Sequence, residues 1–191
     1  MYRWLRNTHL FVGLFTFLFI IMYAVSSVQM AHNSWFRLTP TVTTKRVAIP
    51  PEKGTDARAV ARELMDRNLI GGEINEAKPT EAGFSIRVVR PGAVQEITYS
   101  RELGAASIRI SKAGLMGMLN RIHHIAGLDY EYLPTKLWAY FVVLVSLSLM
   151  VMAVTGIYLW FKLHQERVVG SILLALSLGY SLTLMILIRT A

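Results

Sequence analysis

No cysteine occurs anywhere in the 191-residue chain. Disulfides, thiolate nucleophiles, iron–sulfur ligation and Cys-type zinc sites are therefore excluded. Charge is missing from long stretches: residues 10–31, Trp138–Trp160 and 168–188 contain no Lys, Arg, Asp or Glu. With no ionisable side chain of that kind inside a span, an ion or proton pathway of the usual type is disfavoured. HExxH, GxSxG, a phosphate loop and a dinucleotide fingerprint are all absent, which removes the common signatures of metalloprotease, serine hydrolase, nucleotide hydrolase and dehydrogenase chemistry. A strongly basic stripe is lacking too. The net charge is +8, but residues 33–136 hold 15 of the 20 basic and 11 of the 12 acidic residues, so that segment carries only 15 − 11 = +4. A nucleic-acid surface would need far more.

What the chain does have is three apolar runs. The strongest, Trp138–Trp160, has 23 uncharged residues with Trp138 and Tyr140 near one end and Tyr158 and Trp160 near the other. About 20 apolar residues in a helix cross a bilayer core, and aromatic rings favour both lipid–water boundaries. The sequence therefore predicts three transmembrane helices, over 10–31, 134–161 and 168–188, joined by a polar domain over 32–133 and a short loop over 162–167. Arg3 and Arg6 before the first run, and Lys162 and Arg167 in the short loop, predict that residues 1–9 and 162–167 face the cytoplasm. The polar domain and the C-terminus then face the periplasm of a bacterial inner membrane. Ala24-Val25-Ser26 resembles a signal-peptidase site, but the uncharged run from Asn7 to Ser34 is long enough to span, and it reads as an uncleaved anchor.

The polar domain reads as a small α+β unit. Val42–Ile49 is a β-branched run ended by Pro50-Pro51. Thr55 or Asp56 caps a helix with Val60, Leu64 and Met65 on one face, stopped by Gly71-Gly72. Strands are expected at Ile74–Lys78, Phe84–Arg90, Ala93–Tyr99 and Ser107–Ile110, with a hairpin at Arg90-Pro91-Gly92-Ala93. A second helix is expected over 112–126, carrying Leu115, Met118, Leu119, Ile122 and Ile125 on one face and lying along the membrane surface. In the third span, Ser171, Ala175 and Gly179 recur at every fourth position, spacing that lets helices approach closely, either within a homo-oligomer or against a partner membrane protein.

All five histidines flank the apolar runs. His9 and His164 fall on the predicted cytoplasmic side, and His32, His123 and His124 on the other. With Cys absent, His and Met are the remaining strong iron ligands, and haem b is commonly held by neutral imidazoles. His9 and His32 are about 34 Å apart along a helix, which favours one haem over a stacked pair, with His32 and either His123 or His124 as its ligands. Interfacial histidines that hold no metal are the plain alternative. The carboxylates Glu52, Asp56, Glu63, Asp66, Glu73, Glu76 and Glu96 form no acid–base motif and read as a solvated face.

Four features taken in order, RNTHLFVGL (His9, Gly13), the α+β insert, LNRIHHIAG (119–127) and VTGIYLW (154–160), make residues 3–164 resemble the PepSY-associated transmembrane proteins. The resemblance implies an inner-membrane protein with a periplasmic PepSY domain. Larger members include haem-binding ferric-siderophore reductases, usually with four or more spans. Two departures are the three spans here and Ser26-Ser27 at the end of the first helix. The leading expectation is a haem-b electron-transfer component linked to iron or siderophore reduction. The alternative is a non-enzymatic, membrane-anchored binding or regulatory protein acting on a periplasmic partner such as a peptidase.

Overall fold

A computed structural model describes residues 1–36, 38–162 and 167–190. Three long helices, α1 (Tyr2–Ala31), α4 (Leu133–Lys162) and α5 (Arg167–Thr190), have mean hydropathies of 2.2, 2.4 and 2.2 and are the transmembrane helices. Thirty residues of helix measure about 45 Å against an apolar core of about 30 Å, so α1 and α4 extend beyond it. Between α1 and α4 the chain forms β1 (Thr41–Ala48), α2 (Ala57–Asp66), β2 (Glu73–Thr80), β3 (Gly83–Arg90), β4 (Ala93–Ser100), β5 (Ala105–Lys112) and α3 (Leu115–His123). The strands make one antiparallel sheet in the order β1-β5-β4-β3-β2.

The chain divides into two compact units, Met1–Leu18 with Leu144–Ala191, and Phe19–Val143. In the first, Thr16 and Val145 are fully buried, and Gly13 leaves room for the Met152 sulfur, 3.5 Å from where a Cβ would stand. Gly170 similarly admits the Trp160 indole. Every described residue of α5 after Gly170 is exposed, as expected of a helix whose neighbours are lipid tails.

The second unit holds the sheet. In β3 the side chains alternate strictly: Phe84, Ile86 and Val88 are buried, whereas Ser85 and Arg87 are exposed. Together with Ile97, Tyr99, Ala106 and Ile108, the buried set receives Val60, Ala61 and Leu64 of α2. Each large aliphatic side chain buried this way is worth about 1.5–3 kcal/mol. The opposite face presents Arg87, Glu96, Thr98 and Arg109 to solvent.

Asp56 caps α2, its carboxylate accepting from the Ala59 amide at 2.8 Å. The helix does not run on to Gly71-Gly72. Asn68 takes φ +55°, the Leu69 amide donates to the Leu64 carbonyl at 3.0 Å and the Asn68 amide to the Met65 carbonyl at 2.8 Å. This is a Schellman close with Asn in the left-handed position. Gly71 instead is held by a buried side chain of the sheet. Gln95, 1% exposed, donates to the Gly71 carbonyl at 2.7 Å and accepts from its amide at 3.2 Å. Gln95→Leu keeps the volume but strands both backbone groups, and should cost about 1–3 kcal/mol, read as earlier loss of β4 amide protection in hydrogen exchange.

The second helix is also shorter than 112–126. Lys112 still pairs in β5, opposite Thr41 and Ala93, and the Ala113 amide donates to the Gly92 carbonyl at 3.0 Å. Gly114 then caps α3, which ends at His123, with His124 as its C-cap residue. Gly127, at φ +86°, turns the chain onward toward α4.

Candidate functional site

α3 is joined to the end of α1 by a chain of polar contacts. Asn120 Nδ2 donates to Gln29 Oε1 at 3.1 Å, and Gln29 Nε2 donates to Asn33 Oδ1 at 3.0 Å. Gln29 is 1% exposed. One turn earlier along α1, Ser26 Oγ meets His123 Nδ1 at 2.6 Å, and the Tyr23 ring lies 4.2 Å from the His123 ring. Phe19 stacks on Tyr23 and on Trp138 of α4, and Trp138 Nε1 donates to the Ile122 carbonyl at 3.2 Å. The loop from α3 to α4 is held by Glu73 at the start of β2, whose carboxylate accepts from the Glu131 and Tyr132 amides at 3.0 and 2.9 Å.

These contacts leave a cavity of about 510 Å³ lined by Glu73, Asn75, Arg90, Asn120, Arg121 and Tyr130 among others. A groove of about 470 Å³ shares Asn120, Arg121 and His124 with it and is otherwise lined by residues that include Gln29, Met30 and Asn33. Arg121 is partly buried, and its Nη1 is buried with no hydrogen-bond partner among the described residues.

The histidines sort by what holds their Nδ1. Ser26 has one hydroxyl proton and gives it to the Tyr23 carbonyl at 3.0 Å, so His123 Nδ1 is the donor in its short contact. His124 Nδ1 donates to the Asn120 carbonyl at 2.8 Å. In the other unit His9 Nδ1 lies 3.0 Å from Thr155 Oγ1, and the Thr155 proton goes to the Val151 carbonyl at 2.7 Å, so His9 also donates. Gly156 makes room for that ring, its notional Cβ being 3.2 Å from His9 Cε1. With Nδ1 as the donor, Nε2 is the ring nitrogen left to His9, His123 and His124 as an acceptor, the tautomer a metal ligand needs. His32 stacks on Trp35, centroids 4.1 Å apart, while His123 and His124 lie 5.8 Å apart. His164 lies outside the described residues.

The donor chemistry therefore suits haem iron. Of the described histidines, His124 alone lines the cavity and the groove beside α3. Among the described residues no group of three or more His, Asp or Glu side chains is gathered to hold a metal ion.

Burial pushes the His123 imidazole below its ordinary value, and the neighbouring His124 pushes the same way. The ring is neutral in the fold and takes up a proton more readily once unfolded. Its contribution is present above about pH 6.5 and is lost as pH falls through the depressed value. The melting temperature should accordingly drop on acidification from pH 7.5 to 5, and the drop should be smaller in His123→Asn.

Sequence reasoning missed Gln29, Asn120, Glu73 and Arg121. The available signal for Gln29 was its place as the one amide side chain within residues 10–31, which in a membrane helix favours a hydrogen bond to another element. Arg121 had no signal of its own, being one basic residue beside two histidines. The model of the family described as "Putative PepSY_TM-like" matches residues 1–189. No curated protein and no solved structure matches the chain.

Proposed function

The chain belongs to the PepSY_TM-like family, and from that premise we propose that it is a non-enzymatic, membrane-anchored binding protein that acts through the domain between its first two spans. The observation that supports this most is the cavity between the sheet, α3 and the start of α4, whose lining combines several polar side chains with a guanidinium nitrogen that has no hydrogen-bond partner among the described residues. A concave site with a few convergent polar groups is the arrangement a ligand pocket requires. Arg3, Arg6, Lys162 and Arg167 favour a periplasmic domain in a bacterial inner membrane. A reporter fused after residue 110 should then behave as periplasmic, and one after residue 164 as cytoplasmic. For the binding role, a photoreactive aliphatic residue replacing Ile125, which lines the cavity, should yield one discrete adduct in whole cells. No adduct there, with adducts from an exposed control position, would count against the reading.

A second reading, haem-b electron transfer linked to iron or siderophore reduction, draws on the three imidazoles left with Nε2 as an acceptor. On this reading a second copy or a partner can complete the haem site, and the Ser171, Ala175 and Gly179 stripe on exposed α5 offers a contact for one. Purified with ample haem, the protein should show a reduced bis-His haem spectrum that His123→Ala or His124→Ala removes. A colourless protein would leave the binding role alone.

A further inference from the structure

Two arginines at the cavity are without a counter-ion among the described residues. Among the described residues neither Arg90 nor Arg121 takes part in an ion pair. Of the lining residues only Glu73 is acidic, and its carboxylate is engaged by the Glu131 and Tyr132 amides. A buried guanidinium nitrogen with no acceptor is costly to the fold, so its retention points to an acceptor brought from outside. Asn75, Asn120 and Tyr130 line the same space and can add hydrogen bonds to oxygen atoms of such a group. Among the described residues that line the adjoining groove, Arg121 is the one that carries a full charge and none is acidic.

The position of the site narrows the source. Thr135, in the first turn of α4, lines the cavity. Gln29 and Met30, in the last turn of α1, line the groove. Both spaces thus lie beside the ends of transmembrane helices, at the depth of lipid headgroups. Arginine suits a phosphate there because its planar fork donates two hydrogen bonds to one anion.

We infer that Arg121, with Arg90 beside the same cavity, binds the phosphate of an anionic phospholipid headgroup. This rests on the cavity being the binding site proposed above. Bound in this way, the lipid would fill the space between the sheet and α3 and neutralise the buried cation.

The test uses the full chain, delipidated in detergent and titrated with phosphatidylglycerol, phosphatidylcholine or glycerol 3-phosphate, with occupancy read by native mass spectrometry. Phosphatidylglycerol should bind about tenfold or more tightly than phosphatidylcholine. Arg121→Met should remove about tenfold of that affinity, Arg121→Lys should restore part of it, and Arg90→Met should lower it less. Glycerol 3-phosphate binding as tightly as the lipid would overturn the lipid source in favour of a free anion. Equal binding of the two lipids, unchanged in Arg121→Met, would overturn the inference. In that event Asn75→Trp, which fills the cavity, separates the two claims. Loss of lipid in Asn75→Trp alone keeps the cavity as a binding site without the anion, and no change in either variant removes both.

Discussion

Gly72→Ala is expected to destabilise the domain by about 2–4 kcal/mol. Gly72 holds φ at +143°, and a Cβ there would stand 2.5 Å from the Val89 carbonyl oxygen and 2.9 Å from its carbon. Both obstacles are backbone atoms of β3, so no side chain can turn aside to relieve the clash. The residue sits immediately before β2, whose first pair is Glu73 with Val89, so the strain falls on the start of an edge strand. The adjacent Gly71→Ala is the control. Its Cβ would meet nothing within 4 Å, and the change should stay within about 0.5 kcal/mol. Hydrogen exchange of β2 and β3 amides in the full chain reads both. Equal effects from the two substitutions would contradict the described backbone at Gly72.

Leu64→Ala should cost about 2–5 kcal/mol. Leu64 is fully buried and lies where α2 meets the sheet, among Val60, Ile86, Val88 and Ile97. Its carbonyl also takes the Leu69 amide that closes the helix, so the neighbouring backbone has little freedom to collapse into the void. Leu103→Ala provides the comparison, since Leu103 is 73% exposed in a turn and its loss should be nearly neutral. The spans resist unfolding, so the informative signal is again exchange at β3 and β4 rather than total helix content. A loss below about 1 kcal/mol at Leu64 would mean that α2 is not seated on the sheet as described.

The sequence carried most of the architecture because its strongest patterns are periodic. Uncharged runs ended by Trp and Tyr announce spans, and strict alternation at Phe84, Ile86 and Val88 announces a half-buried strand. The hairpin at Arg90–Ala93 was legible because Pro-Gly admits few other structures, and the observed register pairs those two residues directly. Helix ends were less legible. Asn68, not a glycine, closes α2, since Asn tolerates the left-handed region almost as well. Lys112 was read as the start of the helix, but its pairing opposite Thr41 and Ala93 makes it the end of β5.

The candidate site was half legible, and for a physical reason. Histidine is rare enough to notice, so His9, His123 and His124 could be singled out from the sequence. What orients them could not, because Ser26 is separated from His123, and Thr155 from His9, by about a hundred residues or more. The weak RNTHLFVGL and VTGIYLW features gain meaning only together, since Thr155 accepts from His9 and Gly156 leaves space for its ring. Glu73 read as one more solvated acid, yet it holds two amides of the loop before α4. Arg121 shows its significance only through the absence of a partner among the described residues, which no local pattern records.

The central claim is that the cavity beside α3 holds a ligand, and the most direct measurement is an experimental density map of the full chain purified with its native lipids. The account predicts density in the cavity with an acceptor atom within hydrogen-bond distance of Arg121 Nη1. An empty or closed cavity, with Arg121 paired instead to a carboxylate of the same chain, would contradict it.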